Sequence, residues 1–140
     1  MNDYAAFVRN KFVAHRPTGI AGGFILPETM FGHQKALTSW ALRRGRAAVF
    51  ADTGLGKMLI ELAWADIVNK HTERPVMIHT PLAVAAQLAA EGARFGITAT
   101  VVREADQIMP GINIANYERL HKFDTSIFGG VVLDESGCIK

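Results

Sequence analysis

Short apolar runs alternate along this chain with longer stretches in which apolar residues recur every three or four positions. The short runs predict buried strands at 47–50, 76–80, 97–102, 111–115 and 130–133. The longer stretches predict helices over 3–14, 30–44, 56–70 and 82–95, and residues 104–109 are expected to form a short helix or turn. Because strands and helices alternate, we expect an α/β fold, a three-layer parallel sheet with helices on both faces.

A glycine-rich turn, A-D-T-G-L-G-K at residues 51–57, lies between the first predicted strand and the helix after it. Gly54 and Gly56 allow the backbone to turn with positive φ and to bring its N–H groups close to an anion. The following helix adds its own unpaired N–H groups and the positive end of its dipole. Lys57 is placed as a point charge for the β- and γ-phosphates. The strand–turn–helix context therefore predicts a phosphate-binding loop.

This turn departs at two positions from the pattern G-x-x-x-x-G-K-[ST]. Ala51 stands in place of the first glycine, and Met58 stands where Ser or Thr would supply a hydroxyl to magnesium. A bare G-x-G-K also occurs as an ordinary turn before a helix. The prediction therefore depends on the strand and the helix that flank the turn.

Two adjacent carboxylates, Asp134 and Glu135, follow the last predicted strand. In a parallel sheet they would emerge at the same edge as the glycine-rich turn. There Asp134 can hold hydrated magnesium, and Glu135 can orient and deprotonate an attacking water. An isolated Asp-Glu pair after a strand is usually part of a solvated loop, but the upstream turn favours the catalytic interpretation.

Five short motifs follow one another in a fixed order: Gln34, A-D-T-G-L-G-K, T-P-L at 80–82, N-Y-E-R-L at 116–120, and L-D-E-S at 133–136. This order resembles the first RecA-like domain of a superfamily 2 helicase, nearest to the phage and chromatin-remodeller types, over roughly residues 24–140. The resemblance implies a P-loop NTPase domain of RecA-like fold and an ATP-dependent DNA helicase or translocase. ATP and Mg2+ are the implied cofactors, and DNA is the implied partner of the parent protein.

The resemblance also implies a role for each matching residue. Lys57 and Glu135 are expected to be catalytic, and Asp134 is expected to bind magnesium through water. Gln34 is expected to read adenine, because a side-chain amide both donates and accepts hydrogen bonds. The implied nucleotide-binding set is Gln34, Thr53, Gly54, Leu55, Gly56, Lys57 and Met58.

Three further residues, Thr80, Asn116 and Tyr117, would lie toward nucleic acid in such a domain. Locally, Thr80 followed by Pro81 is equally typical of a helix N-cap with proline at the first helical position. Both interpretations are compatible, because a helix N-terminus is itself an anion-binding site.

The resemblance divides the chain into an N-terminal helix and loop, 1–29, and a partial RecA-like domain, 30–140. The family's second RecA-like domain and its arginine finger do not occur before Lys140, so we expect little or no ATP turnover by the chain itself. The alternative function is that of a non-catalytic, helicase-derived module that binds protein or nucleic acid. We also expect an incomplete sheet, whose open edge a second copy or another protein would complete.

The composition is that of a globular protein, with 140 residues of which 49% are hydrophobic and 20% charged. Residues 1–60 carry eight Lys or Arg against three Asp or Glu, with a cluster at Arg43, Arg44 and Arg46. This cluster is either a solvated face or a site for polyphosphate or a nucleic-acid backbone. The single Cys excludes an internal disulfide, and the five His lack metal-ligand spacing. No apolar stretch is long enough to span a membrane, and we expect a cytoplasmic protein.

Overall fold

The computed structural model describes residues 3–11, 16–51 and 54–135, and these residues form an α/β fold. The helices are α1 (Asp3–Lys11), α2 (Gly32–Arg44), α3 (Lys57–Thr72) and α4 (Ala85–Arg94). The strands are β1 (Val76–Thr80), β2 (Ala99–Val101), β3 (Ile112–Asn116) and β4 (Gly130–Leu133). Short 3-10 helices occupy Ala105–Gln107, Tyr117–Lys122 and Thr125–Ile127.

The four strands form one sheet in the order β2-β3-β1-β4, and every pair in it is parallel. In the register, Val76 of β1 lies beside Ile112 of β3 on one side and Gly130 of β4 on the other. The predicted parallel α/β sheet is therefore confirmed. Because all strands are parallel, their carboxyl ends meet at a single edge.

Alternate residues of β1 supply two separate cores, one on each face of the sheet. Val76 and Ile78 belong to the larger core, where Leu62 of α3 and Leu88 of α4 are fully buried. Met77 belongs to a smaller core with Phe123, under the 3-10 segments. His79 also lies on this side, stacked 6.0 Å from the ring of Tyr117, and burial lowers its pKa. Among the described residues, α3 and α4 thus cover one face and 3-10 helices cover the other.

The strand predicted at 47–50 is wrong. These residues have no strand assignment in the structure, and the Phe50 side chain is 97% exposed. A strand needs a neighbour that pairs with its N–H and C=O groups, and this segment is paired with no strand of the described sheet. Within the described chain, β4 accordingly pairs only with β1 and leaves its other edge open.

The T-P-L segment does not cap the helix that follows it, so the N-cap interpretation of Thr80 is wrong. Helix α4 begins only at Ala85, and its N-cap residue is Val84. The chain first makes a turn in which the Val84 N–H donates to the Pro81 carbonyl at 3.0 Å. The Thr80 hydroxyl itself donates to the Pro81 carbonyl, 3.0 Å away.

The C-terminal end of α2 is fixed by an extended segment that runs alongside it. The N–H groups of Thr18, Gly19 and Ile20 donate to the carbonyls of Arg44, Arg43 and Leu42 at 3.2, 3.2 and 2.8 Å. These carbonyls would otherwise have no partner inside the helix, because the last turn of any α-helix leaves its acceptors free.

The described helices include none that is both long enough and apolar enough to cross a membrane.

Candidate functional site

The glycine-rich turn leads directly into α3, which begins at Lys57. Gly54 and Gly56 have φ of 88° and 68°, in the region that favours glycine. At Gly56 there is a second reason for glycine, because a side chain there would collide with the Gln34 amide nitrogen. The tight turn predicted from the sequence is therefore present, and its last glycine forms the N-cap of a 16-residue helix.

The Gln34 side chain of α2 is hydrogen-bonded to this turn. Its side chain is buried, its Oε1 accepts from the Phe31 N–H at 2.9 Å, and its Nε2 donates to the carbonyls of Leu55 and Gly56, both at 3.3 Å. A ring nitrogen of His33 lies 3.2 Å from the same Leu55 carbonyl. The start of α2 is thus tied to the turn. To read adenine as predicted, Gln34 would have to exchange these bonds for bonds to the base.

Lys57 and Asp134 meet where α3 begins and β4 ends. The Lys57 ammonium lies 3.7 Å from Asp134 Oδ1, and the Asp134 side chain is only 6% exposed. The backbone of Asp134 is fixed as well, because its N–H donates to the His79 carbonyl at 2.9 Å and its carbonyl accepts from the Tyr117 hydroxyl. The structure therefore brings together the two motifs that the sequence placed at one edge of the sheet.

Glu61 is a member of this site that sequence reasoning missed. It lies four residues after Lys57, on the same face of α3. Burial, and then the charge of Asp134, raise its pKa to about 8. A protonated Glu61 carboxyl can donate to the Asp134 carboxylate, and the described residues supply no other hydrogen bond to Glu61 Oε2 or Asp134 Oδ1. A signal was available, because an acidic residue between Ile60 and Leu62 interrupts an apolar stretch about one helical turn after the lysine.

Glu135, the residue after Asp134, has an exposed side chain, and its φ of 48° lies in the left-handed region. For a residue with a Cβ this conformation costs roughly 1–2 kcal/mol, and such outliers cluster at functional sites. Met58, on the first turn of α3, is half-buried and presents a thioether instead of an oxygen. Its sulfur is a poor ligand for magnesium, which prefers oxygen.

Five more residues were predicted to contact nucleotide or nucleic acid. Thr53 lies outside the described residues, and Leu55 is 40% exposed on the turn. Thr80 and Asn116 are buried, and the Asn116 amide donates to the Glu118 carboxylate. The Tyr117 hydroxyl is directed to the Asp134 backbone. The side chains of Thr80, Asn116 and Tyr117 thus bond to the protein's own residues near the carboxyl ends of the strands.

A metal at this site would need ligands beyond the protein. Within residues 3–11, 16–51 and 54–135, no three His, Cys, Asp or Glu side chains are grouped so that they could hold a metal ion. Asp134 offers one carboxylate, and Glu61, whose raised pKa keeps it protonated near neutral pH, could add a second only by releasing its proton to the ion. Magnesium is usually bound by one or two carboxylates together with waters and substrate phosphates. The donor set fits magnesium accompanied by a phosphate ligand.

Comparison of this chain with protein-family models, with curated proteins and with solved structures finds no match.

The raised pKa of Glu61 predicts a pH-dependent stability that Glu61→Gln should remove. The folded state keeps the Glu61 proton up to a pKa of about 8, whereas the unfolded chain loses it near 4.5. The stability from this proton is complete below the unfolded value and is lost as pH rises through the folded value. The free energy of unfolding of the wild type should therefore fall with rising pH across this window, relative to the variant.

Denaturant unfolding from about pH 4.5 to about pH 9 measures this difference. Glu28→Gln, which alters an exposed carboxylate outside the site, is the matched control and should follow the wild type. Parallel stability curves for the wild type and Glu61→Gln would contradict the buried, protonated carboxyl.

Proposed function

We propose that this chain binds ATP with Mg2+ through the turn at 54–57, as the N-terminal, RecA-like part of a superfamily 2 type ATP-dependent DNA helicase or translocase. The observation that supports this most is the 3.7 Å approach of Lys57 to Asp134 beside a glycine turn that opens a helix. A lysine for phosphate and an aspartate for magnesium, joined at one edge of a parallel sheet, are the parts that P-loop NTPases use.

Phosphate would be held at the start of α3. The first N–H groups of this helix have no intrahelical acceptor, and its dipole adds positive potential at the same point. The Lys57 ammonium, about one third exposed, can move from Asp134 to a phosphate without leaving the site. The left-handed Gly54 and Gly56 let the backbone approach the anion, and Gln34 keeps the turn in place.

Magnesium would be held by Asp134 through water, and Glu61 would become a second source of oxygen once the ion displaced its proton. The ion would neutralise phosphate charge when bound. Glu61 stands one turn beyond Met58 on α3, so it can in part replace the hydroxyl that Met58 lacks. Glu135, exposed next to Asp134, is the candidate for orienting and deprotonating an attacking water.

Lys57→Ala is the direct test of phosphate binding. Loss of the ammonium should weaken binding of a fluorescent ATP analogue by roughly tenfold or more, because a charged hydrogen bond contributes about 1.5–3 kcal/mol. Lys70→Ala removes an equal charge from the far end of the same helix, where Lys70 pairs with Asp66, and is the matched control. Equal affinities of the two variants would refute the phosphate-binding turn.

Met58→Thr is expected to strengthen the magnesium-dependent part of nucleotide binding. The threonine hydroxyl would restore the oxygen that the turn lacks, and magnesium gains affinity with each added oxygen ligand. Calorimetric titration with ATP, with and without Mg2+, separates this effect from binding of the nucleotide alone. ATP turnover should stay near background in both proteins. DNA-stimulated hydrolysis by the unaltered chain at about 1 s⁻¹ or faster would contradict this expectation.

A non-catalytic binding module is the second candidate function, and the open edge of β4 favours it. Val131 and Leu133 on this strand are 37% and 46% exposed, and β4 carries no charge or proline that would discourage pairing. In the described part of the chain no further strand pairs with this edge. A strand from a second copy would complete the sheet by main-chain hydrogen bonds.

Val131→Lys should prevent such an association. A lysine on an edge strand discourages edge-to-edge pairing because its charge would have to be buried. Sedimentation at increasing protein concentration should show association of the wild type and a monomer for the variant. Val101→Lys, on the opposite edge strand β2, is the control and should associate like the wild type. A wild type that is monomeric at every concentration would exclude self-association.

A further inference from the structure

A groove of about 530 Å3 runs along the outer face of α2, away from the glycine-rich turn. It lies between two adjacent rows of helix residues, spaced four apart, and the extended segment at Pro17. Its lining consists of Pro17, Lys35, Ala36, Ser39, Trp40, Arg43 and Arg44. We call this feature the α2 groove. Three of its seven lining residues are cationic and none is acidic.

The positive charge of the α2 groove is not neutralised by the surrounding protein. Residues 16–51 contain five Lys or Arg against a single acidic residue, Glu28. No salt bridge of the described residues involves Lys35, Arg43 or Arg44. Arg43 lies over the Phe24 ring at 5.8 Å, a contact that orients the guanidinium but leaves its charge in place.

Stabilisation of the helix dipole does not explain all three cations of the α2 groove. Arg43 and Arg44 stand in the last turn of α2, where cations are favoured by the helix dipole. The dipole does not account for Lys35, which lies in the first turn of the same helix, where a cation is disfavoured. Lys35 and Arg43 are separated by about 12 Å along the helix axis, so the cations form a row and not a point.

Trp40 lies in the middle of this row with 46% of its side chain exposed. The other tryptophan, Trp64, packs against the main core instead. An exposed indole flanked by cations offers a flat apolar surface at the place where a polyanion would lie. Unpaired bases stack on such surfaces, while Lys and Arg contact the phosphates between them.

We propose that the α2 groove binds single-stranded nucleic acid, with a base on Trp40 and backbone phosphates on Lys35, Arg43 and Arg44. This site is distinct from the nucleotide site, because the groove lies on the outer face of α2 and the buried residues Gln34, Thr38, Ala41 and Leu42 lie on the inner face. The proposal does not depend on ATP binding at the turn. An unpaired strand fits better than a duplex, whose bases are not available for stacking.

Anisotropy of a labelled 15-residue oligothymidylate tests the proposal at low salt. Arg43→Gln/Arg44→Gln should weaken binding about tenfold and reduce the salt slope from about −2 to about −0.7, since each phosphate contact adds about −0.7. Lys70→Gln/Arg94→Gln removes the same charge from two exposed ion pairs elsewhere and is the matched control, with an expected change below about twofold. If both double variants lost the same affinity, net charge alone would explain the effect, and the proposed site would be refuted.

The stacking contact has its own readout. Trp40→Ala, an exposed change, should weaken binding about tenfold, and the oligonucleotide should quench the wild-type tryptophan fluorescence but not that of Trp40→Phe, in which only Trp64 emits. Quenching that persists in Trp40→Phe would overturn the contact. A duplex that binds as tightly as the single strand, or polyglutamate that competes equally, would show a general polyanion surface and refute the proposal. Lys57→Ala should bind the oligonucleotide with the affinity of the wild type. A lower affinity would place the oligonucleotide at the glycine-rich turn and refute binding in the α2 groove.

Discussion

The contact between Lys57 and Asp134 is the constraint around which the candidate site is built. An ammonium about one third exposed and a nearly buried carboxylate, 3.7 Å apart, join the first residue of α3 to the residue that follows β4. Asp134 cannot move away, because its backbone is bonded to β1 and to Tyr117. The half-buried Glu61 lies beside this carboxylate, and both burial and the charge of Asp134 raise the pKa of Glu61.

Helix α2 connects this site with the rest of the molecule. Its first turn holds the glycine-rich turn through Gln34, and its last turn is anchored by the segment at 18–20. The face between these anchors is buried, while the opposite face carries Trp40 and a row of cations. One rigid element thus separates two surfaces of different chemistry, and a ligand on either one would meet residues fixed by the same helix.

Strand pairing in the sheet explains why the strand predicted at 47–50 does not form and why one edge of β4 is open. An apolar run at 47–50 has the composition of a strand, yet it forms none, because strand structure requires a partner and β4 is not paired with it. Composition is a local property, whereas pairing is decided between segments far apart in the chain. The same absence of pairing leaves Val131 and Leu133 at an open edge in the described structure.

Local sequence patterns by themselves determined the helices, four of the five strands and the tight turn at Gly54–Gly56, because periodicity and glycine act within a few residues. The meeting of Lys57 with Asp134 also followed from sequence, since parallel strands bring their carboxyl ends to one edge. Only the tertiary structure decided the partners of side chains: Glu61 became half-buried beside Asp134, Gln34 bonded to the turn, and Thr80 and Asn116 turned inward. Burial and charge at these positions depend on residues distant in sequence, and no local pattern contains that information.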